Sequence, residues 1–187
     1  MTDLESAVVE VASALEALAI PYMLIGGLAV SLQGVGRSTL DADFSLWVEP
    51  ERLEAIVGQL GARFHVLASD PVAFARQARV LPALSSRGVR VDLVFASLPA
   101  ERDIIARAEV RSPGGVSVRV ASAEDLIWMK LMSERAQDIE DATRLLRRRR
   151  KTLDRPYLES RLKELSEAFA RDDIMSIYHR EIHADPR

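Results

Sequence analysis

The chain has 187 residues, enough for one domain with a full apolar core, alone or with a small helical appendage. It is 48% apolar and 28% charged, as ordinary globular proteins are, and it lacks cysteine, which excludes disulfides, thiolate zinc sites and thiol nucleophiles. Only three histidines occur, so any metal would be a hard ion held by oxygen, and a net charge of −3 gives no global attraction for nucleic acid.

Taken in chain order, residues 3–18 carry Leu4, Val8, Val11, Ala12, Leu15 and Leu18 at helical spacing, and Pro21 stops that helix. Tyr22-Met-Leu-Ile25 reads as a buried strand. Gly26-Gly27 then turns into a short helix, Leu28 to Leu32, and Gly34-Val-Gly36 forms a loop. The next strand is expected from Leu40 to Val48. Leu40, Ala42, Phe44, Leu46 and Val48 would share one face, with Asp41, Asp43, Ser45 and Trp47 on the other.

Pro50 opens a helix through Leu60. Between Phe64 and Ser86 the pattern suggests a short strand, a helix near Pro71–Ala78 and a strand interrupted by Pro82. Val89 to Phe95 is another strand, with Val89, Val91, Leu93 and Phe95 inward and Arg90 and Asp92 outward. A helix over 99–108 precedes a hairpin around Ser112-Pro-Gly-Gly115. Ser122 and Asp125 mark a capped helix start, after which the chain reads as helical with a break near Asp154-Arg-Pro156.

Four segments carry chemistry. Asp41 and Asp43, two apart on a strand, must point the same way. Two such charges about 4 Å apart repel by roughly 4 kcal/mol at an effective dielectric near 20. A third carboxylate, Asp92, worsens this unless protons or cations neutralise the group; two magnesium ions would do so and would serve phosphoryl chemistry. The alternative is a solvated strand face, although aspartate is a poor strand former. Gly26-Gly27 allows close backbone approach to a phosphate at a helix start, but a tight turn explains the pair equally well.

Lys130 sits inside Leu126-Ile-Trp-Met-Lys-Leu-Met132 and needs a partner. That partner is either Glu134, in an ordinary helix pair, or a nucleotide phosphate. Only three of the 25 basic residues are lysine, which favours a specific use for this one. Asp138 and Asp141 are placed to orient it on one unbroken helix, where Asp141 lies about 20° around from Lys130; a break near Gln137 would spoil that geometry. Arg147-Arg-Arg-Arg-Lys151 is either a solvated helix end or a contact for RNA phosphates.

The order Gly-Gly-x-Ala-Val, Arg-x-Thr-x-Asp-x-Asp, Val-Asp-Leu, Glu-Asp-Leu-Ile-x-Met-Lys, then Arg135 and Asp138, spans residues 20 to 146. It resembles the minimal nucleotidyltransferases of the polymerase-beta superfamily, and within them the AbiEii/AbiGii-type toxin family. The resemblance implies an α/β (α+β) nucleotidyltransferase fold, a small mixed sheet flanked by helices. The core would occupy residues 1–121, with a helical region over 122–187.

It also implies that Asp41, Asp43 and Asp92 bind magnesium, that Asp92 helps deprotonate the acceptor hydroxyl, and that Gly26, Gly27, Arg37, Thr39 and Lys130 contact the NTP. Asp138 and Asp141 would support Lys130. The reaction implied moves an NMP from an NTP to a hydroxyl of RNA, such as a tRNA 3′ end, with a cognate antitoxin or toxin protein as partner. A small-molecule acceptor such as an antibiotic, or a non-catalytic nucleotide-binding or antitoxin module, are the other readings. Gly27 stands where that family often has serine, which removes one hydroxyl contact. The N-terminus, Met-Thr-Asp-Leu-Glu, is not a signal peptide, and no window reaches roughly 18 apolar residues, so a cytoplasmic location without membrane contact is expected.

Overall fold

The computed structural model describes residues 1–183. These residues form two compact units: Met1–Leu32 with Arg37–Ala121, and Gln33–Gly36 with the segment from Ser122 onward. No helix among the described residues is long and apolar enough to cross a membrane.

The first unit opens with α1 (Asp3–Ala17), whose start is fixed by a capping box: Thr2 Oγ1 accepts from the Glu5 amide and Glu5 accepts from the Thr2 amide. Ala7, Val8, Val11, Ala12 and Leu15 are buried along one stripe of this helix. The helix ends four residues before Pro21, and Ala19 adopts a left-handed conformation at φ 50°. Strand β1 (Tyr22–Ile25) follows, and α2 (Gly26–Leu32) begins at the glycine pair itself, so both glycines lie in the first helical turn.

Strand β2 covers Ala42–Leu46, shorter at both ends than the alternation predicts. Its pairing with β1 runs from Tyr22↔Leu46 to Ile25↔Asp43 and stops because the next residue, Gly26, leaves the strand for α2. Asp41 therefore lies outside the strand, and Leu40 is 87% exposed instead of joining the apolar face. Ser45, expected on the open face, is buried.

A 3-10 turn (Pro50–Arg52) leads into α3 (Leu53–Gly61), then β3 (His65–Val66), α4 (Pro71–Ala78) and β4 (Val80–Leu84). Pro82 does not interrupt β4. Its carbonyl accepts from the Leu67 amide at 2.9 Å, on the side of the two-residue strand β3, so the N–H it lacks would point to where that short pairing ends. Strand β5 (Arg90–Phe95) buries Val91, Leu93 and Phe95, and α5 (Pro99–Ala106) precedes the antiparallel hairpin of β6 (Glu109–Arg111) and β7 (Val118–Val120).

The strands make one mixed sheet in the order β3-β4-β5-β2-β1-β7-β6, with β2 parallel to β5 and β1 parallel to β7. Leu24, Phe44, Leu46, Leu81 and Leu93 are fully buried in its centre, which holds the strand ends that carry the candidate site in fixed register.

The second unit is helical: α6 (Ala123–Met132), α7 (Ala136–Arg149), α8 (Arg155–Phe169) and α9 (Asp172–His183). Ser122 caps α6 by accepting from the Asp125 amide, as the sequence suggests. The buried carboxylates of α6 tie down α8: Glu124 accepts from the Asp154 amide at 2.7 Å, and Asp125 accepts from Tyr157 Oη at 2.7 Å and Ser122 Oγ at 2.6 Å. The Arg161 guanidinium lies 5.3 Å from the Trp128 ring centroid.

Candidate active site

Asp43 pairs with Ile25, the last residue of β1, on one side and with Asp92 of β5 on the other. Neighbouring strands are about 4.8 Å apart, so register alone brings the two carboxylates side by side on one face of the sheet. Gly26 turns out of β1 beneath Asp43 with φ +69°, and a Cβ there would stand 1.9 Å from Asp43 Oδ2. Only glycine satisfies both the left-handed backbone and the space taken by that carboxylate.

Gly27 is equally close to the loop that leads into β2. A Cβ on it would fall 2.9 Å from Arg37 Nε and 3.2 Å from Thr39 Cβ. Arg37 is positioned from α2, where Ser31 Oγ donates to its carbonyl at 2.9 Å. Thr39 Oγ1 lies 3.3 Å from the Asp41 carbonyl and 3.4 Å from the Asp41 amide, forming a small side-chain turn that precedes the strand. Gly26, Gly27, Arg37, Thr39 and Asp43 thus form a contiguous set, with Asp92 joined by register. A side chain at Gly27 would be crowded by Arg37.

Arg90 is the residue that motif reading leaves out. Its Nε donates to Asp92 Oδ1 at 3.2 Å. The hydrogen bond and charge of Asp92 push this guanidinium above its usual value against a small opposing effect of burial, and the charges of Asp41 and Asp43 add to the rise. Arg90 thus acts as a counter-ion to the carboxylates. Its position on the same strand face as Asp92 was legible, but its ion pair was not.

The donors are hard carboxylate oxygens beside a glycine turn against which the Asp43 carboxylate packs, a chemistry that suits magnesium. Asp43 and Asp92 are partly exposed and Asp41 is exposed on the loop. Among the described residues no three histidine, aspartate or glutamate side chains are gathered closely enough to hold a metal ion as they stand.

In the helical unit, Lys130 Nζ pairs with Asp138 Oδ1 and lies 3.2 Å from Asp141 Oδ2, rather than pairing with Glu134. The helix is broken between Met132 and Ala136, and the break does not spoil the geometry: α6 and α7 fold against each other and meet at these three charges. Arg135 Nε donates to Asp138 Oδ2 at 2.7 Å. Burial pushes the Asp138 carboxyl up, but hydrogen bonds from Lys130 and Ser133 and the charges of Lys130 and Arg135 hold it below the usual carboxylate range. The ammonium donates a hydrogen bond to Asp138 Oδ1 and stands at ion-pair distance from Asp141 Oδ2.

The mixed sheet flanked by helices is that of the nucleotidyltransferase fold. The chain belongs to the family described as "Nucleotidyltransferase of unknown function (DUF6036)", whose model matches residues 2–180. Its structure is similar to that of an antigenic nucleotidyltransferase-like protein from Paracoccidioides brasiliensis, at 17% identity and TM-score 0.54 over 95% of this chain and 92% of that one.

It is also similar to the antibiotic-resistance factor ANT(2'')-Ia, at 21% identity and TM-score 0.53 over 96% and 97% of the two chains. Lincosamide antibiotic adenylyltransferase LnuA shares the fold at 12% identity and TM-score 0.51, over 78% of this chain and 96% of that one. At these identities the likeness is one of fold alone. No curated protein matches the sequence.

Proposed function

We propose that the protein is a magnesium-dependent nucleotidyltransferase that moves an NMP from an NTP to a hydroxyl acceptor. The observation that carries this reading is the clearance at Gly26, filled by the Asp43 carboxylate, with Asp92 next to it in register. A solvated strand face gives no reason for a glycine at φ +69° directly beneath a carboxylate.

In this reading the backbone at Gly26 and Gly27, with Arg37 and Thr39, holds the triphosphate, because neither glycine adds a side chain of its own at the helix start. Magnesium held by Asp41, Asp43 and Asp92, as two ions with the NTP, would supply charge neutralisation for the triphosphate and the leaving pyrophosphate. The acceptor oxygen forms a bond to the α-phosphorus as the bond to the pyrophosphate oxygen breaks. Asp92, whose Oδ1 is held by Arg90, takes the acceptor proton on Oδ2. The phosphate-holding role that the resemblance gives Lys130, with Asp138 and Asp141 in support, is part of the same proposal.

We assign the acceptor to RNA, as the resemblance to AbiEii/AbiGii-type toxins suggests, with a cognate antitoxin as the protein partner. A small-molecule acceptor is the second reading, favoured by the near-complete overlap with the antibiotic-resistance factor. Incubation with each α-phosphate-labelled NTP, in the presence of total RNA or of aminoglycoside and lincosamide antibiotics, tests both. Label moved to RNA supports the first, label moved to an antibiotic the second. Absence of transfer to any hydroxyl and of pyrophosphate release refutes both and leaves a binding module.

A further inference from the structure

The basic run of α7 is not a uniformly solvated helix end. Ala142, Leu145 and Leu146 are buried, which turns Arg144, Arg147 and Arg148 outward. Together with Gly34, Val35 and Gly36 these three arginines line a cleft of about 350 Å³ within the helical unit. The loop is held in place from both sides. Val35 is 4% exposed, and Arg144 Nη2 donates to the Gly36 carbonyl at 2.8 Å.

Gly34 takes φ +91°, and a Cβ on it would lie 3.6 Å from Arg148 Nε, so this guanidinium lies against the loop backbone. A Cβ on Gly36 would meet nothing within 4 Å.

The charges are unevenly compensated. Arg147 pairs with Glu181, which is itself 1% exposed and also accepts from Arg180 at 2.8 Å. Among the described residues no carboxylate forms an ion pair with Arg144 or Arg148. They stand one helical turn apart, about 6 Å of axial rise. Guanidinium forks match phosphate oxygens in pairs, and the run continues through Arg149, Arg150 and Lys151, further than one phosphate group reaches. A polycationic small molecule would be repelled by such a stripe, and an uncharged one would make no use of it.

We infer that the cleft between the Gly34–Gly36 loop and Arg144 and Arg148 binds the phosphate backbone of a single-stranded RNA. This rests on the transferase reading, in which RNA is the acceptor: the cleft is where the chain of the acceptor is gripped, and the loop that forms it runs directly into Arg37. Backbone contacts of this kind read charge, not base identity, so the binding is tolerant of sequence.

The test is binding of a fluorescein-labelled 20-nucleotide oligouridylate to the full chain, followed by anisotropy over a series of salt concentrations in EDTA without NTP. The assay contains neither metal nor NTP, so failure of transfer activity does not affect it. For single strands the slope of log K against log salt is about −0.7 per neutralised phosphate. The Arg144→Ala, Arg148→Ala double variant is expected to bind at least tenfold more weakly, with a slope shallower by about 1.4.

Arg148→Glu alone, which leaves the Arg144–Gly36 bond in place, should reproduce the loss while circular dichroism stays native. Arg52→Ala, Arg87→Ala, at exposed positions of the other unit, should retain wild-type affinity. Equal binding by wild type and both cleft variants overturns the inference, as does no binding by the wild type at low salt.

Discussion

Replacing Gly26 by alanine perturbs the site at one atom. Two costs arise, and they differ in kind. The backbone cost comes from φ +69°, which an L-residue occupies at a penalty of roughly 1–2 kcal/mol. For a chain of this length that lowers the thermal midpoint by about 2–8 °C. The steric cost falls on the chemistry. The new Cβ would stand 1.9 Å from Asp43 Oδ2, 2.8 Å from its Cγ and 3.0 Å from its Cβ, and ordinary contact begins near 3.4 Å. The carboxylate must therefore retreat by about 1.5 Å, whereas misplacement of a reacting group by about 1 Å already costs on the order of 100-fold in rate.

Gly26→Ala is thus expected to remain folded, with a modest drop in melting temperature, and to lose at least 100-fold in pyrophosphate release from NTP. A variant that melts lower by the expected amount but releases pyrophosphate within threefold of wild type would refute the placement of Asp43 at the reacting centre.

Lys130→Met leaves Asp138 and Asp141, with side chains 7% and 2% exposed, facing each other without their ammonium. Loss of one member of a buried ionic group costs about 3–5 kcal/mol, so urea unfolding of this variant should shift by that amount. Asp138 and Glu181 both sit below their usual carboxylate range. Burial raises Asp138, but Lys130, Ser133 and Arg135 outweigh it; Arg147 lowers Glu181 first, with Arg180 adding against burial. Depressed carboxyls contribute stability that is complete above the unfolded-state values near pH 4 and is lost as pH falls through the lower folded values. Thermal melts should therefore fall below about pH 4, and Asp138→Asn should flatten that fall while lowering stability at pH 7. Arg90→Ala removes a counter-ion from the three carboxylates. Its melting temperature should drop in EDTA and recover in magnesium, a recovery that an equal drop in both conditions would exclude.

Much of this architecture was readable because it rests on period and punctuation. Alternation in Val89 to Phe95 placed Asp92 opposite the core, and Ser122 with Asp125 marked the start of α6. The limits of β2 were not readable from alternation, because they are set by its neighbours. Leu40 continues the apolar pattern, yet β1 has already ended and Leu40 has nothing to pack on.

The same holds for charge partners. Local spacing offered Glu134 to Lys130, but folding of α7 against α6 brings Asp138 and Asp141 instead. The ion pair of Arg90, two residues from Asp92 on one strand face, is a short-range contact that spacing permits without requiring. Glu124 and Asp125, quoted as part of a motif, have a structural use in holding α8 that only the tertiary contact to Asp154 and Tyr157 reveals.

The central claim, that Asp43 and Asp92 with the Gly26-Gly27 turn hold a metal-bound NTP, is tested most directly by calorimetry. Each of the four NTPs would be titrated into the protein in magnesium and in EDTA, for the wild type and for an Asp43→Ala, Asp92→Ala variant. Magnesium-dependent binding of at least one NTP, lost in the variant while its fold persists, is the predicted result. A folded wild-type protein that binds none of the four NTPs with magnesium, or a variant that binds as the wild type does, would contradict it.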